Sequence, residues 1–304
     1  MELGVHVRSL EGLREADAAA EQCGLQIAAY QVFIFGPQKY NRLWSDADAA
    51  AVARDPRPVV VHSNYIAGGL AYSPKATLGQ QRGARKFLGA LVRKSSAWSA
   101  TAPQRGAATA GCVVHIPDAP PREVVRGAAE ILSNAGSRGK LWLETSNRPA
   151  FEGGAAGTDY AAGHWGYGTA EQLRALLAGL DGAGLARAGI CVDTAHVWAQ
   201  GVDLRSYEQA SEYFRGLLEA SDRPRGRFLL HFNDSRSPRG SGRDEHEVVG
   251  SGEIWGEYAG DLAASGACAT LEFARETGAC ALLERTPADL PRDFQALATL
   301  AALF

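Results

Sequence analysis

The sequence has no long apolar run, no excess of basic residues and no N-terminal leader pattern. A membrane-spanning helix needs roughly 20 consecutive apolar residues, and a secretory leader needs a basic segment followed by an apolar one. The formal net charge is -3, so the chain shows no overall basic signature of a nucleic-acid-binding domain. We therefore expect an intracellular, soluble protein with no membrane partner, and we expect it to be a monomer.

Cysteine is scarce, and the cysteines show no motif spacing. The five cysteines include no CxxC pair. Three of them, Cys112, Cys191 and Cys268, lie inside apolar runs, as small core residues do in a reducing compartment. We predict buried thiols and no disulfide framework.

Short apolar runs alternate with longer amphipathic stretches along all 304 residues. The predicted strands cover residues 2–7, 27–35, 58–62, 111–116, 140–144, 188–193, 227–232 and 268–273. The predicted helices cover residues 10–23, 46–54, 76–96, 121–135, 169–181, 206–220, 255–264 and 288–302. Strict alternation indicates an α/β protein with a parallel sheet.

Eight such units predict a single (β/α)8 TIM barrel over residues 1–304, with long loops at the C-terminal face. Two insertions are expected to be loops: an exposed one at residues 95–110, and a long glycine-rich one at residues 146–168 that follows the fifth strand. The alternative is an open doubly wound sheet, which would carry a glycine-rich phosphate loop after its first strand. Residues 7–12 read VRSLEG, which contains no GxGxxG motif.

A metal-capable side chain ends each of six successive predicted strands. These residues are His62, His115, Glu144, Asp193, His231 and Glu272. In a barrel the carboxyl ends of all strands meet on one face, where active sites form. Three more such residues, His196, Asp244 and His246, follow strands six and seven. Imidazole and carboxylate groups are zinc ligands, and nine of them suit two or three ions with a shared carboxylate.

Several motifs together resemble the endonuclease IV family over nearly the whole chain. They are ICVDTAH at 190–196 followed by GVDL at 201–204, HFND at 231–234, Asp244-x-His246 with G-x-G-x-I at 250–254, GVHV at 4–7, and HSNY at 62–65. The resemblance implies a TIM barrel that holds three zinc ions. It implies hydrolysis of the phosphodiester 5′ of abasic sites in double-stranded DNA, which leaves a 3′-hydroxyl and a 5′-deoxyribose phosphate, and also cleaning of blocked 3′ ends.

Carried over position by position, the resemblance assigns three ligand sets. The first is His62, His115 and Glu144. The second is Asp193, His231 and Glu272, with Glu144 as a bridge and as the catalytic group that orients the attacking water. The third is His196, Asp244 and His246. Ligand type favours zinc over manganese at these sites.

The DNA contacts are expected from loops above the barrel, at Gln38, Tyr65, Arg236, Arg239 and Arg243. The three arginines lie in one segment between two ligand motifs, and such a segment can also be a solvated loop. Two motifs depart from the family pattern, with His115-Ile116-Pro117 in place of H-P-G and Glu144-Thr145-Ser146 in place of E-N-T. A basic residue that the family inserts into DNA is also replaced near residues 35–39, so the damage-recognition contacts are the least constrained part.

Two other functions fit parts of the pattern. A metal-dependent sugar isomerase or epimerase also places carboxylates and histidines at strand ends, but around one or two metals. A non-catalytic DNA-binding barrel would have lost some ligands. The third ligand set disfavours the first alternative, and the complete set of nine disfavours the second.

Overall fold

Eight parallel strands close into a barrel in the computed structural model, which describes residues 2–38, 40–73, 75–100, 109–147, 165–221 and 224–304. The strands of the barrel are β1 (Glu2–His6), β2 (Ile27–Phe33), β3 (Val59–His62), β4 (Gly111–His115), β5 (Lys140–Glu144), β6 (Ala188–Asp193), β7 (Phe228–His231) and β10 (Cys280–Leu283). A short antiparallel hairpin is formed by β8 (Asp234–Ser235) and β9 (His246–Glu247). Around the barrel the order is β1-β10-β7-β6-β5-β4-β3-β2, which confirms the predicted (β/α)8 fold.

Helices surround the barrel and begin at residues that the sequence marks clearly. They are α1 (Leu10–Gln22), α2 (Asp46–Val52), α3 (Tyr65–Tyr72), α4 (Leu78–Trp98), α5 (Pro121–Asn134), α6 (Ala170–Gly182), α7 (Thr194–Ala199), α8 (Tyr207–Leu218), α9 (Gly266–Thr277) and α10 (Leu290–Ala301). Capping boxes start α2, α4, α6 and α8, each with a serine or threonine at the N-cap. Such a cap satisfies backbone N–H groups that the first helical turn leaves unpaired.

The largest side chain in the packed barrel interior is a tryptophan. Trp142 on β5 is buried and donates from Nε1 to the carbonyl of Thr109 at 3.0 Å. A Cβ at Gly111 would lie 2.7 Å from Trp142 Nε1, and a Cβ at Gly189 would lie 2.6 Å from its Cζ3. The two glycines therefore make room on neighbouring strands for the indole, in the way that packed barrel cores combine large and small residues.

The predicted eighth strand is wrong. Residues 268–273 belong to the buried helix α9, which Ser265 caps, and the strand is Cys280–Leu283 instead. The predicted helix at 255–264 contains two short 3₁₀ turns, Gly256–Tyr258 and Leu262–Ala264. A short apolar run does not distinguish a buried helix from a buried strand by its periodicity. Gly278, in the left-handed region at φ 66°, is the helix-end signal that separates the two elements.

The remaining observations concern the cysteines, the length of the helices and the two expected loops. All five cysteines are free, and all but Cys23 are buried. None of the helices described is long and apolar enough to cross a bilayer. Helix α4 continues to Trp98, into the segment expected as a loop at 95–110. Residues 101–108 and 148–164, which make up most of the two expected long loops, lie outside the described residues.

Two glycine substitutions should change stability in opposite directions. A Cβ at Gly278 would meet no atom within 4 Å. Gly278→Ala should therefore lower the free energy of unfolding by about 1–2 kcal/mol, because of the positive φ alone. Gly83 lies inside α4, and a Cβ added there would also meet open space. Gly83→Ala should raise the free energy of unfolding by about 0.5–1 kcal/mol, because glycine is unfavourable inside a helix. Urea unfolding measures both changes, and a neutral Gly278→Ala would contradict the helix end described here.

Candidate metal centre

The ends of the barrel strands converge on one cavity of about 180 Å³. His115 and Glu144 are register partners on β4 and β5, and Asp193 and His231 are register partners on β6 and β7. Parallel pairing therefore places residues that are far apart in sequence side by side at the same height. The side chains of Glu144, Asp193 and His231 are at most 1% exposed.

Glu144 lies at the centre of the cluster. Its Oε2 lies 3.0 Å from His62 Nε2 and 2.9 Å from His115 Nε2. Its Oε1 lies 2.9 Å from His231 Nδ1. One carboxylate thus contacts two histidines with one oxygen and a third histidine with the other, which is the arrangement expected of a bridging ligand.

The first two predicted ligand sets come together, with one correction. His62, His115 and Glu144 offer ligand atoms within 4.8 Å of one another. Glu144, Asp193 and His231 form a second such group whose fourth member is Glu284. The sequence assigns Glu272 to this position, and that assignment is wrong.

Glu272 lies on helix α9 and accepts a hydrogen bond from the Tyr207 hydroxyl at 2.5 Å. It cannot reach the cavity because α9 packs on the outside of the barrel, against α8. Glu284 directly follows β10 and lines the cavity. The error follows from the misplaced eighth strand, since both segments end an apolar run with glutamate. The helix-ending Gly278 before Cys280–Leu283 was the sequence signal for the correct choice.

The third predicted set also assembles. Asp193, His196 and His246 form a group with ligand atoms within 4.8 Å. Asp244 lies 3.3 Å from His196 Nε2 through Oδ2 and 2.9 Å from His246 Nε2 through Oδ1. Both Nε2 atoms are buried, yet neither makes a hydrogen bond of good geometry with the residues described. Two buried ring nitrogens that face one carboxylate fit a shared cation.

Backbone carbonyl groups hold three of the histidines in a fixed orientation. Nδ1 of His62 lies 2.9 Å from the Ser63 carbonyl oxygen, and Nδ1 of His196 lies 2.8 Å from that of Thr145. Nδ1 of His246 lies 3.3 Å from the carbonyl oxygen of Glu284. A carbonyl oxygen only accepts, so each Nδ1 carries a proton and Nε2 is the ring nitrogen that faces the cavity and is available to an ion once it is deprotonated.

Asp234 shapes the loop that brings the last two ligands to the cavity. Its buried carboxylate accepts hydrogen bonds from the N–H groups of Gly250, Gly252 and Ile254, each at 3.0 Å. A Cβ at Gly252 would lie 2.5 Å from Asp234 Oδ1, so the motif requires glycine there. This packing fixes the β8–β9 hairpin, whose connecting loop carries Asp244 and whose second strand begins at His246.

Burial and the carboxylates act in opposite directions on these histidines. Burial disfavours the charged form of His196, but Asp193 and Asp244 hold its pKa well above its usual range. The pKa of His246 is raised to about 9 by Asp244 and Asp193 despite burial. The pKa of Asp244 is well below its usual range, because His196 and His246 outweigh its burial. Without a metal, protons therefore balance the negative charge of the carboxylates.

The family follows from these observations together with a comparison to known proteins. Residues 115–298, more than half of the chain, match the family model described as "Xylose isomerase-like TIM barrel". The chain belongs to this family. The matched range begins at His115 and contains eight of the nine residues in the corrected ligand sets.

Curated proteins with similar sequences carry nuclease names. A "Probable AP endonuclease" of African swine fever virus is 30% identical over 176 residues, which cover 58% of this chain and 55% of that protein. A "Probable endonuclease 4" of Mycobacterium bovis is 27% identical over 296 residues, which cover 94% of this chain and 99% of that protein. The second alignment spans both proteins almost completely.

Several solved structures share the fold. A crystal structure described as "AsfvAP:AG" matches with a TM-score of 0.77 at 22% identity, over 99% of this chain and 98% of that chain. Endonuclease IV from Thermus thermophilus matches with a TM-score of 0.64 at 24% identity, over 100% of both chains. A D-tagatose 3-epimerase-like protein matches with a TM-score of 0.57 at 16% identity, over 100% of this chain and 98% of that chain.

Of the five predicted DNA-contact residues, Tyr65 lines the cavity, and the five differ in how available they are. Tyr65 is 42% exposed, and its ring centroid lies 4.9 Å from that of His115. Gln38 is exposed. Arg236 is exposed and lies 3.6 Å from Glu247, whereas Arg239 pairs with Asp203 at 2.5 Å. Arg243 is exposed beside Asp244.

Substitution of Glu284 and of Glu272 should show which of the two glutamates binds metal. Glu284→Gln should lose one equivalent of bound zinc, because the amide has lost the charge that the second ligand group supplies. Glu272→Gln should retain the metal content of the unaltered protein. Inductively coupled plasma mass spectrometry after dialysis measures both, and equal zinc loss in the two variants would contradict the assignment.

Zinc affinity should fall as the pH is lowered from about 9 to 6.5. His246 keeps its proton below a pKa of about 9 in the metal-free protein, and an ion must displace that proton to bind. Each displaced proton weakens apparent affinity by about tenfold per pH unit. Competition with a chelator of known pH dependence measures the slope, and an affinity independent of pH would contradict this charge balance.

Proposed function

We propose that this protein is a DNA repair endonuclease that hydrolyses the phosphodiester 5′ of abasic sites in double-stranded DNA with three zinc ions. Its products are a 3′-hydroxyl and a 5′-deoxyribose phosphate, and blocked 3′ ends are a second substrate. The AP endonuclease and endonuclease 4 relatives support this reaction class. The observation that carries the proposal is the set of overlapping ligand groups around one cavity, which share Glu144 and Asp193.

The chain offers a separate ligand group for each ion. His62, His115 and Glu144 would hold the first ion, and Glu144, Asp193, His231 and Glu284 would hold the second. The third would be held by His196, Asp244 and His246. When bound, the ions would supply positive charge for the phosphate and leaving oxygen and would activate water at neutral pH.

The residues of the site orient the ligand side chains and exclude bulk solvent. The carbonyl groups of Ser63 and Thr145 orient His62 and His196 before any ion arrives, so little reorganisation is needed on binding. Glu144 faces the cavity between the first two groups, where its charge can orient the attacking water. The His62, His196 and His231 side chains are at most 2% exposed, which keeps bulk solvent away from the deep side of the cavity.

The rim of the cavity offers an aromatic ring and a cation for the DNA. Tyr65 projects beside His115 and is followed by the exposed Ile66, which together give an apolar surface for a sugar or base. Arg8 lines the same cavity and is exposed, and no carboxylate among the described residues forms an ion pair with it. Arg8 is not among the predicted contacts, and its position suits a phosphate of the bound strand.

The sugar epimerase alternative is weaker because of the third ligand group. The likeness to a D-tagatose 3-epimerase-like protein concerns the fold, which hosts many chemistries. An epimerase would be served by one or two metals, whereas His196, Asp244 and His246 add a further cation site. The non-catalytic alternative would require a missing ligand, and the corrected set has none missing.

Cleavage mapping tests the proposal directly. A duplex with a single abasic-site analogue and a 5′ label should be cut once, immediately 5′ of the lesion, by the zinc-loaded protein. Glu144→Gln should reduce the rate by at least about 100-fold, as loss of a central electrostatic group does. Glu272→Gln is the matched control and should cut at the normal rate. A folded, zinc-loaded protein that leaves the duplex intact would refute the proposed reaction.

The contribution of Arg8 is measurable through salt dependence. Each phosphate contact contributes about -0.9 to the slope of log K against log salt concentration, so Arg8→Gln should make the slope shallower by roughly one unit. Arg138→Gln is the matched control, because Arg138 is exposed just before β5, at the opposite end of the barrel. Titration of an uncleavable duplex with each variant of the otherwise unaltered, metal-loaded protein measures both. Unchanged slopes for Arg8→Gln would remove Arg8 from the DNA interface.

A further inference from the structure

One buried amide connects three groups around the second ligand set. Gln31 lies on β2, is completely buried, and reaches into the floor of the site. Its Nε2 lies 2.6 Å from Glu284 Oε1 and 3.3 Å from His6 Nδ1. Its Oε1 lies 2.9 Å from His231 Nε2. On the neighbouring strand β3 the register partner of Gln31 is Val60, two residues before the ligand His62.

The orientation of this amide follows from its partners. Glu284 is an acceptor when ionised, so the atom of Gln31 facing it at 2.6 Å must be the NH₂ group. The reverse orientation would place the amide oxygen against a carboxylate oxygen at that distance, with two acceptors and no proton between them. The amide oxygen therefore faces His231, and the second N–H of the amide faces His6.

This orientation fixes the proton on His231. An amide oxygen only accepts, so Nε2 of His231 must carry a proton and donate it to Gln31. Nδ1 of His231 is left to face Glu144 Oε1 at 2.9 Å and Glu284 Oε2 at 3.2 Å. The rings of His62, His196 and His246 have the opposite orientation, because in each of them Nδ1 faces a backbone carbonyl oxygen. His231 alone among these four offers Nδ1 to the ligand cluster.

We propose that Gln31 is a positioning residue for the second metal, because its amide selects the nitrogen of His231 that faces the ion and aligns Glu284 beside it. The proposal rests on the proposed function in requiring a bound metal. It adds a residue that binds no ion and touches no substrate. With the amide gone, the buried Nε2–H of His231 would have no acceptor, and Glu284 would lose a hydrogen bond that fixes one of its oxygens.

The test is zinc affinity measured without DNA. Gln31→Leu removes both the donor and the acceptor at similar volume. Loss of a residue that orients a metal ligand weakens binding by about 10–100-fold, so one equivalent should be lost to a competing chelator at a concentration that leaves the unaltered protein fully loaded. The other equivalents should stay bound, since the carbonyl groups that orient their histidines are unchanged.

Gln81→Leu is the matched control. Its amide donates to the Ser73 carbonyl at 2.9 Å, away from the ligand groups, so the same chemical change there should lower the melting temperature without changing zinc affinity. If Gln31→Leu does not fold, Gln31→Met provides an unbranched side chain of similar length. Nitrogen-15 NMR of histidine-labelled, zinc-loaded protein gives a further measurement without altering Gln31, with the His231 signal identified by its loss in His231→Asn.

The outcomes separate the inference from the proposed function. Loss of a single equivalent in a Gln31 variant and a proton on His231 Nε2 support the inference. Normal zinc affinity in the folded Gln31 variant, or a proton on His231 Nδ1, overturns it and leaves the nuclease proposal standing. A protein that binds no zinc before any substitution overturns both.

Discussion

The buried carboxylate of Glu144 is the constraint on which the whole site depends. It is 1% exposed and lies within 3.0 Å of ring nitrogens on three strands. An ionised carboxylate out of contact with water is tolerated only when positive charge and hydrogen bonds surround it, and breaking such a pair costs about 3–5 kcal/mol. The histidines around Glu144 therefore serve the fold as much as they serve any ion, because they provide that charge when they hold protons.

The same constraint explains why protons and metal compete here. Four carboxylates, those of Glu144, Asp193, Asp244 and Glu284, face one small cavity. Their mutual repulsion is offset in the metal-free chain by histidines whose pKa values are held high. Divalent cations can replace those protons. Metal binding and the stability of this end of the barrel should consequently be linked through the same residues.

The candidate metal ligands and the candidate DNA contacts lie on different parts of the barrel. Most ligands lie at strand ends, where parallel pairing sets their heights; His196 lies on the short helix α7, and Asp244 and His246 lie on the hairpin held by Asp234. The candidate DNA contacts, such as Tyr65 and Arg236, sit on the loops and helix ends above them. In barrels of this kind, the strands form the rigid scaffold and the loops above them can vary without disturbing it.

The sequence by itself determined the barrel, eight of the nine metal-ligand candidates and the resemblance that suggests their use. These features are local: a short apolar run, a capping residue, and a histidine or carboxylate at the end of the run. The error at Glu272 was also local. Gly278 is a typical helix-ending residue, and it indicated that the strand is Cys280–Leu283, with Glu284 after it.

Tertiary structure alone decided how the ligands share oxygens and which ring nitrogens face the cavity. Gln31 reads as an ordinary polar residue in a buried strand. Its partners His6, His231 and Glu284 come from β1, β7 and the end of β10, up to 253 positions away along the chain. No spacing rule joins residues at such separations. Only closure of the barrel brings them within hydrogen-bonding distance, and only the count of donors and acceptors there fixes where the proton lies.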